Sequence, residues 1–104
     1  LAAEAYHASL IRTVLYAKGQ VTPNAISAAN AISNARDSLD GPTDLDQGLL
    51  LQGQANITPL DKNGIAFSRT TGQVLNIVYL NPGNVTSGGF FPFGVNGAIR
   101  TSGS

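Results

Sequence analysis

The chain has 104 residues, with six basic and six acidic side chains, one histidine, and no cysteine, methionine or tryptophan. Charged residues make up 12% of it, about half the share usual in a soluble domain, and so sparse and balanced a charge offers no basic stripe for a nucleic-acid backbone. Thiol catalysis, Cys-ligated zinc and disulfide stapling are excluded for want of sulfur, and no apolar run approaches the roughly 20 residues of a membrane span.

Residues 1–17 predict a helix. Ala2, Ala3, Ala5 and Ala8 favour it intrinsically, and no Gly or Pro interrupts the stretch. Leu1, Glu4, His7 or Ala8, Ile11, and Val14 or Leu15 recur at the three-and-four spacing of one face. Lys18 falls in the last turn and Gly19 follows as a C′ residue. No Ser, Thr, Asp or Asn stands ahead of Leu1 as a cap. The expectation is therefore a C-terminal piece of something longer, beginning within a helix.

Thr22-Pro23 predicts a second helical start, a cap followed by proline at the first helical position. Ala25, Ala28, Ile32, Ala35 and Leu39 then repeat at helical spacing up to Gly41-Pro42, so the expected buried side is mostly alanine. Asn24, Asn30 and Asn34 weaken the helix propensity of this stretch. Residues 40–66 carry turn chemistry almost throughout, with Leu49-Leu50-Leu51 as a short anchor or strand. So long a loop is uncommon in a compact domain.

Thr70 with Gln73 matches a capping box, and Val74, Leu75, Val78 and Tyr79 predict an apolar stripe on a short helix that Asn81-Pro82-Gly83 ends. Three phenylalanines then stand among glycines in Gly88-Gly89-Phe90-Phe91-Pro92-Phe93-Gly94, and are expected to dock on a helical body rather than face water.

The only glutamate and the only histidine lie three residues apart, in Glu4-Ala5-Tyr6-His7. A carboxylate and an imidazole one helical turn apart share a side of the helix and can bind one metal ion together. Glu-x-x-His recurs in di-iron and di-manganese carboxylate bundles, where glutamates from other helices complete the site. A lone Glu and His on a helix are more commonly surface residues or a hydrogen-bonded core pair, and this chain supplies only two obvious ligands. Asp37, Asp40, Asp44 and Asp46 lack the alternating spacing and terminal glutamate of a calcium loop and read as turn formers. Ser9 and Ser68 have no oxyanion signature beside them. Asn56-Ile57-Thr58 and Asn84-Val85-Thr86 are N-glycosylation sequons in predicted loops, marking Asn56 and Asn84 as possible acceptors.

Glu4-Ala5-Tyr6-His7 with Leu10-Ile11-Arg12-Thr13-Val14-Leu15-Tyr16 resembles the last bundle helix of the desiccation-related, ferritin-like family. The resemblance continues through Ala66-Phe67-Ser68-Arg69-Thr70, Gln73-Val74-Leu75-Asn76-Ile77-Val78-Tyr79, Gly88-Gly89-Phe90-Phe91-Pro92 and Gly94-Val95-Asn96-Gly97-Ala98-Ile99-Arg100, in the family's order. It implies a mainly α fold: residues 1–19 as the last helix of a four-helix bundle, and residues 20–104 as a loop-rich C-terminal extension with short helices, wrapping the bundle. The first three helices would be missing or supplied by another chain. Glu4 and His7 would then be iron or manganese ligands, and secretion signals in several members imply a secreted or cell-envelope location.

Three functions fit these residues. One is a structural or stress-protective protein without turnover. The second is a di-iron or di-manganese enzyme, or a metal-storage protein. The third is a subunit-assembly module, the aromatic tail docking on a neighbour in a homo-oligomer.

Overall fold

The computed structural model describes residues 2–104; Leu1, assigned to the helical face from sequence, lies outside them. The fold is mainly α. Helices α1 (Ala2–Gly19), α2 (Asn24–Asp37) and α3 (Thr71–Tyr79) are joined by a long loop that holds a two-stranded antiparallel ribbon, β1 (Leu50–Leu51) with β2 (Gln54–Ala55). The chain divides into two units, one of residues 1–34 and 46–68, the other of residues 35–45 and 69–104.

In the first unit, α1 runs through Gly19, which is buried so close to Ile26 that a Cβ there would stand 2.3 Å from that side chain. The chain then turns at Thr22 and Pro23, whose carbonyls accept from the Ala25 and Ile26 amides at 2.9 and 3.1 Å and start α2. The covered face of α2 differs from the expected alanine row. Of that row Ala25 and Leu39 are partly covered, but Ala28, Ile32 and Ala35 are exposed, while Ile26, Ala29, Asn30 and Ser33 turn inward. Polar groups decide this choice. Asn30 Oδ1 accepts from the Leu49 amide at 2.8 Å, and Ser33 Oγ donates to Asp46 Oδ1 at 2.6 Å. Loop backbone that cannot pair with itself needs such partners, and alanine has none to offer.

The loop that receives these bonds is anchored at Leu49, only 2% exposed; burying a leucine stabilises by about 1.5–3 kcal/mol. Gln52 and Gly53 take positive φ angles of 50° and 78°, the two-residue turn that joins short antiparallel strands. Arg12, from the covered side of α1, holds the loop's other flank. Its Nε and one terminal nitrogen donate to Asn56 O at 2.9 and 2.7 Å. Its other terminal nitrogen donates to Gln47 O at 3.0 Å, and a further bond reaches Gly48 O. A planar fork with five N–H groups suits several carbonyls converging on one point.

In the second unit, the expected capping box is present. Thr70 Oγ1 accepts from the Gln73 amide at 3.2 Å, and Gln73 Oε1 accepts from the Thr70 amide at 2.9 Å. Leu80 closes α3 in the left-handed conformation, with its N–H directed to the Asn76 and Ile77 carbonyls. Leu75 and Tyr79 are buried as the stripe predicts, but Val74 is 46% exposed and Asn76 is fully buried. Asn76 Nδ2 donates to Leu39 O at 3.0 Å and to Pro82 O at 3.4 Å, so the amide ties two loops to the helix.

The phenylalanine tail departs from expectation more sharply. Phe90, Phe91 and Phe93 are all exposed, Phe93 almost completely at 99%. What docks is backbone. Phe90 N donates to Val78 O at 2.9 Å, and Gly88 and Gly89 lie so close to α3 that a Cβ at either would stand 2.8 or 2.7 Å from the Tyr79 backbone. Glycine permits that approach, and both residues also take positive φ. The neighbouring rings are left pointing outward.

Asn76→Asp should therefore destabilise the protein by roughly 2–5 kcal/mol, since a carboxylate would replace the donor facing two carbonyls. Val74→Ser should stay within about 0.5 kcal/mol. Urea midpoints of the two variants check this, and equal losses would contradict the placement of Asn76. Arg12→Lys should lower the hydrogen-exchange protection of the Leu49 and Asn56 amides by about tenfold, because an ammonium cannot span the carbonyls that the fork reaches.

Candidate functional site

The sequence-predicted pair sits on α1. Glu4 and His7 are both exposed, one turn apart on the side of the helix opposite Arg12 and its loop. Tyr6, Leu10 and Val14 follow one another at four-residue spacing along that side, with Ile11 beside His7, and all four are exposed. The covered side carries Ala5, Ser9, Arg12, Leu15, Tyr16 and Gly19. Apolar residues thus occupy both sides, interspersed on the exposed one with Glu4, His7, Thr13 and Lys18. The side bearing Glu4 and His7 is the one with the larger aliphatic and aromatic groups in water.

One carboxylate and one imidazole are suitable donors for iron or manganese, but they are half or less of a complete coordination set. Among the described residues, no group of three or more His, Cys, Asp or Glu side chains comes together. The remaining donors of any metal centre would have to come from other segments.

The aspartates of residues 37–46 serve the backbone and their neighbours. Asp37 Oδ1 accepts from the Leu45 amide at 3.1 Å, and Asp46 accepts from Ser33. Asp40 is completely buried and paired with Arg69, while its carbonyl accepts from Gln73 Nε2 at 2.8 Å. Its Oδ1 and the Asn76 Oδ1 are buried acceptors without a hydrogen bond. A single buried ion pair gives a local anchor for the loop between α2 and α3, and removing one partner from such a pair typically costs about 3–5 kcal/mol.

The two sequons are in different situations. Asn56 is half-buried, and its Nδ2 donates to Gln47 Oε1 at 3.1 Å and Gly48 O at 3.2 Å, within the cluster that Arg12 organises. A glycan on that nitrogen would replace one of its two hydrogens and need room where the loop closes. Asn84 and Thr86 are exposed.

Sequence reasoning found the Glu4–His7 pair and the sequons from spacing alone. It missed Arg12, Asp40 with Arg69, and Tyr79 as a hydroxyl donor. Their partners are carbonyls and side chains tens of residues away, with no periodicity to announce them. Comparison with family models, with curated proteins and with solved structures finds no match to this chain.

In a secretory host that glycosylates Asn-x-Thr sites, Asn84 should carry the glycan and Asn56 should not. Mass spectrometry of tryptic glycopeptides checks this, and full occupancy at Asn56 would contradict the closed cluster around Arg12.

Proposed function

We propose that the chain is the C-terminal portion of a desiccation-related, ferritin-like protein with a structural or stress-protective role. Residues 1–19 serve as the last stave of a four-helix bundle and residues 20–104 as its extension. The other staves come from the same protein or from another chain. The reading starts from the resemblance of the blocks from Glu4 to Arg100. The sequence places Glu4 and His7 on an inward side, whereas both are exposed in this chain. Tyr6, Leu10, Ile11 and Val14 beside them are the surface the reading assigns to companion helices. Companion helices laid on that side would enclose the apolar residues and Glu4 and His7 together.

Within such a bundle, Glu4 would offer a carboxylate oxygen and His7 a ring nitrogen to an iron or manganese ion. Bound metal would supply Lewis acidity or redox capacity; these two residues would hold and orient it. A burial that encloses an acid also favours a neutralising cation beside it, because an unpaired carboxylate in an apolar site costs several kcal/mol. The exposed sequon at Asn84 fits a secreted location.

Two measurements on the natively purified protein test it. Leu10→Asp should destabilise by more than about 3 kcal/mol if α1 is an enclosed stave, since it would bury a lone charge. A loss within about 0.5 kcal/mol would mean that the side is open to solvent and would overturn the bundle reading. Metal analysis should find at least about one iron or manganese per chain, reduced by Glu4→Ala and by His7→Ala. Metal-free protein with the Leu10→Asp penalty intact would leave a bundle without a metal role.

A further inference from the structure

A pocket of about 380 Å³ opens in the second unit, lined in part by Thr86, Ser87, Phe93, Val95, Arg100 and Thr101. Three separate stretches of loop form its walls, and two buried hydroxyls fix them. Tyr79, 2% exposed, donates from its OH to Arg100 O at 2.9 Å and accepts from the Val95 amide at 3.4 Å. Ser102 Oγ donates to Gly83 O at 2.7 Å and accepts from the Val85 amide at 3.0 Å, while the Ser102 amide donates to Val85 O at 2.8 Å. The wall at Gly94 is equally tight: φ there is +79°, and a Cβ would lie 2.5 Å from Thr86 O. The backbone beneath the groove is therefore fixed by the fold, while the side chains that line it are exposed.

Its chemistry is uneven. The Arg100 guanidinium makes no hydrogen bond or ion pair with the described residues, although the backbone beneath it is pinned by Tyr79. Thr86, Ser87 and Thr101 add hydroxyls, each able to donate and accept. The Phe93 ring stands at the rim, almost wholly in solvent. A guanidinium fork matches a carboxylate in bidentate fashion, hydroxyls match the alternating donors and acceptors of a polyol, and an exposed aromatic ring offers an apolar face. The space is an open groove whose Thr86, Ser87, Phe93, Arg100 and Thr101 are exposed, so it suits a small polar ligand that keeps one face in water. A bare inorganic anion would use the arginine and leave the ring and most of the space idle.

We propose that this pocket binds a carboxylated sugar, a hexuronate unit. The carboxylate pairs with Arg100, the ring hydroxyls meet Thr86, Ser87 and Thr101, and one sugar face lies against Phe93. The site uses residues of the second unit only and does not depend on the bundle reading of α1.

Titration of the full ¹⁵N-labelled chain with galacturonate, galactose and acetate, followed by two-dimensional NMR, tests this. Galacturonate should shift the amide signals of Ser87, Gly94 and Thr101 and bind at least about tenfold more tightly than either of the other two, a difference of about 1.4 kcal/mol. Arg100→Gln should bring galacturonate down to the level of galactose, and Phe93→Ala should weaken it by roughly threefold to tenfold. Acetate binding as tightly as galacturonate would reduce the pocket to a carboxylate site and overturn the proposal. Galactose binding as tightly, or no shift at these amides, would overturn it as well. Should Arg100→Gln disturb signals beyond the pocket, Phe93→Ala decides, because its ring packs on nothing in the fold; unchanged galacturonate affinity in that variant would refute the stacking assigned to it.

Discussion

Side chains that bond to backbone, more than an apolar core, hold this chain in shape. Among the described residues, the buried hydrophobic side chains are Leu49, Leu75 and Tyr79, and the buried polar ones are Ser33, Asp40, Asn76 and Ser102. Each of the polar four bonds to a loop or pairs with a side chain that holds one. The physical reason lies in the composition. A chain that spends residues 40–70 and 81–104 largely outside helices and strands leaves many N–H and C=O groups without ladder partners, and those groups must be paired before they can be covered. Arg12 answers this in the first unit with one guanidinium for three carbonyls. Asn76, Tyr79 and Ser102 answer it in the second. Hydrogen bonds of this kind contribute modestly when made and are costly when one partner is lost, so the loops depend on a few polar positions.

That dependence explains which features could be read from sequence. Helix α1 and the Thr70–Gln73 capping box follow from local chemistry, where propensity and the cap act within one turn, and both are present. The inner face of α2 was not legible. Alanine at Ala28 and Ala35 satisfies the helical period, but Asn30 and Ser33 offer bonds that a loop 13 to 19 residues away requires. The same competition seats Asn76 in the interior while Val74 stays half in water. Hydrophobic periodicity assumes that the buried side is the apolar one, and it fails wherever the neighbour is bare backbone rather than another side-chain layer. Of the candidate sites, Glu4 and His7 were visible because they lie on one turn. The pocket at Arg100 was not, since its walls are drawn from residues 86 to 101 by the hydroxyls of Tyr79 and Ser102, and no spacing rule encodes that convergence.

Glycine and phenylalanine in the tail make the same point from the opposite direction. A run rich in aromatic residues suggests ring burial. Here Gly88 and Gly89 bring the main chain against Tyr79 and let Phe90 N reach Val78 O. A side chain at either position would push the strand of chain away by more than the contact tolerates. Once the backbone itself is the docking surface, the rings on either side are directed outward by geometry. Their exposure is the consequence of a tight contact, and it leaves Phe93 at the rim of the Arg100 pocket.

Helix α1 mixes polar and apolar groups on both sides. Arg12 and Ser9 face inward with Ala5, Leu15, Tyr16 and Gly19, while Leu10, Ile11 and Val14 are exposed with Glu4, His7, Thr13 and Lys18. Water alone does not fix which side turns inward. The inward orientation is fixed by the three carbonyls that Arg12 serves, an interaction with direction and charge that rotation of the helix would destroy. Exposing three aliphatic side chains costs on the order of 1.5–3 kcal/mol each relative to burial. The Arg12 bonds offset that cost, and the outer side of α1 keeps its aliphatic groups exposed beside Glu4 and His7.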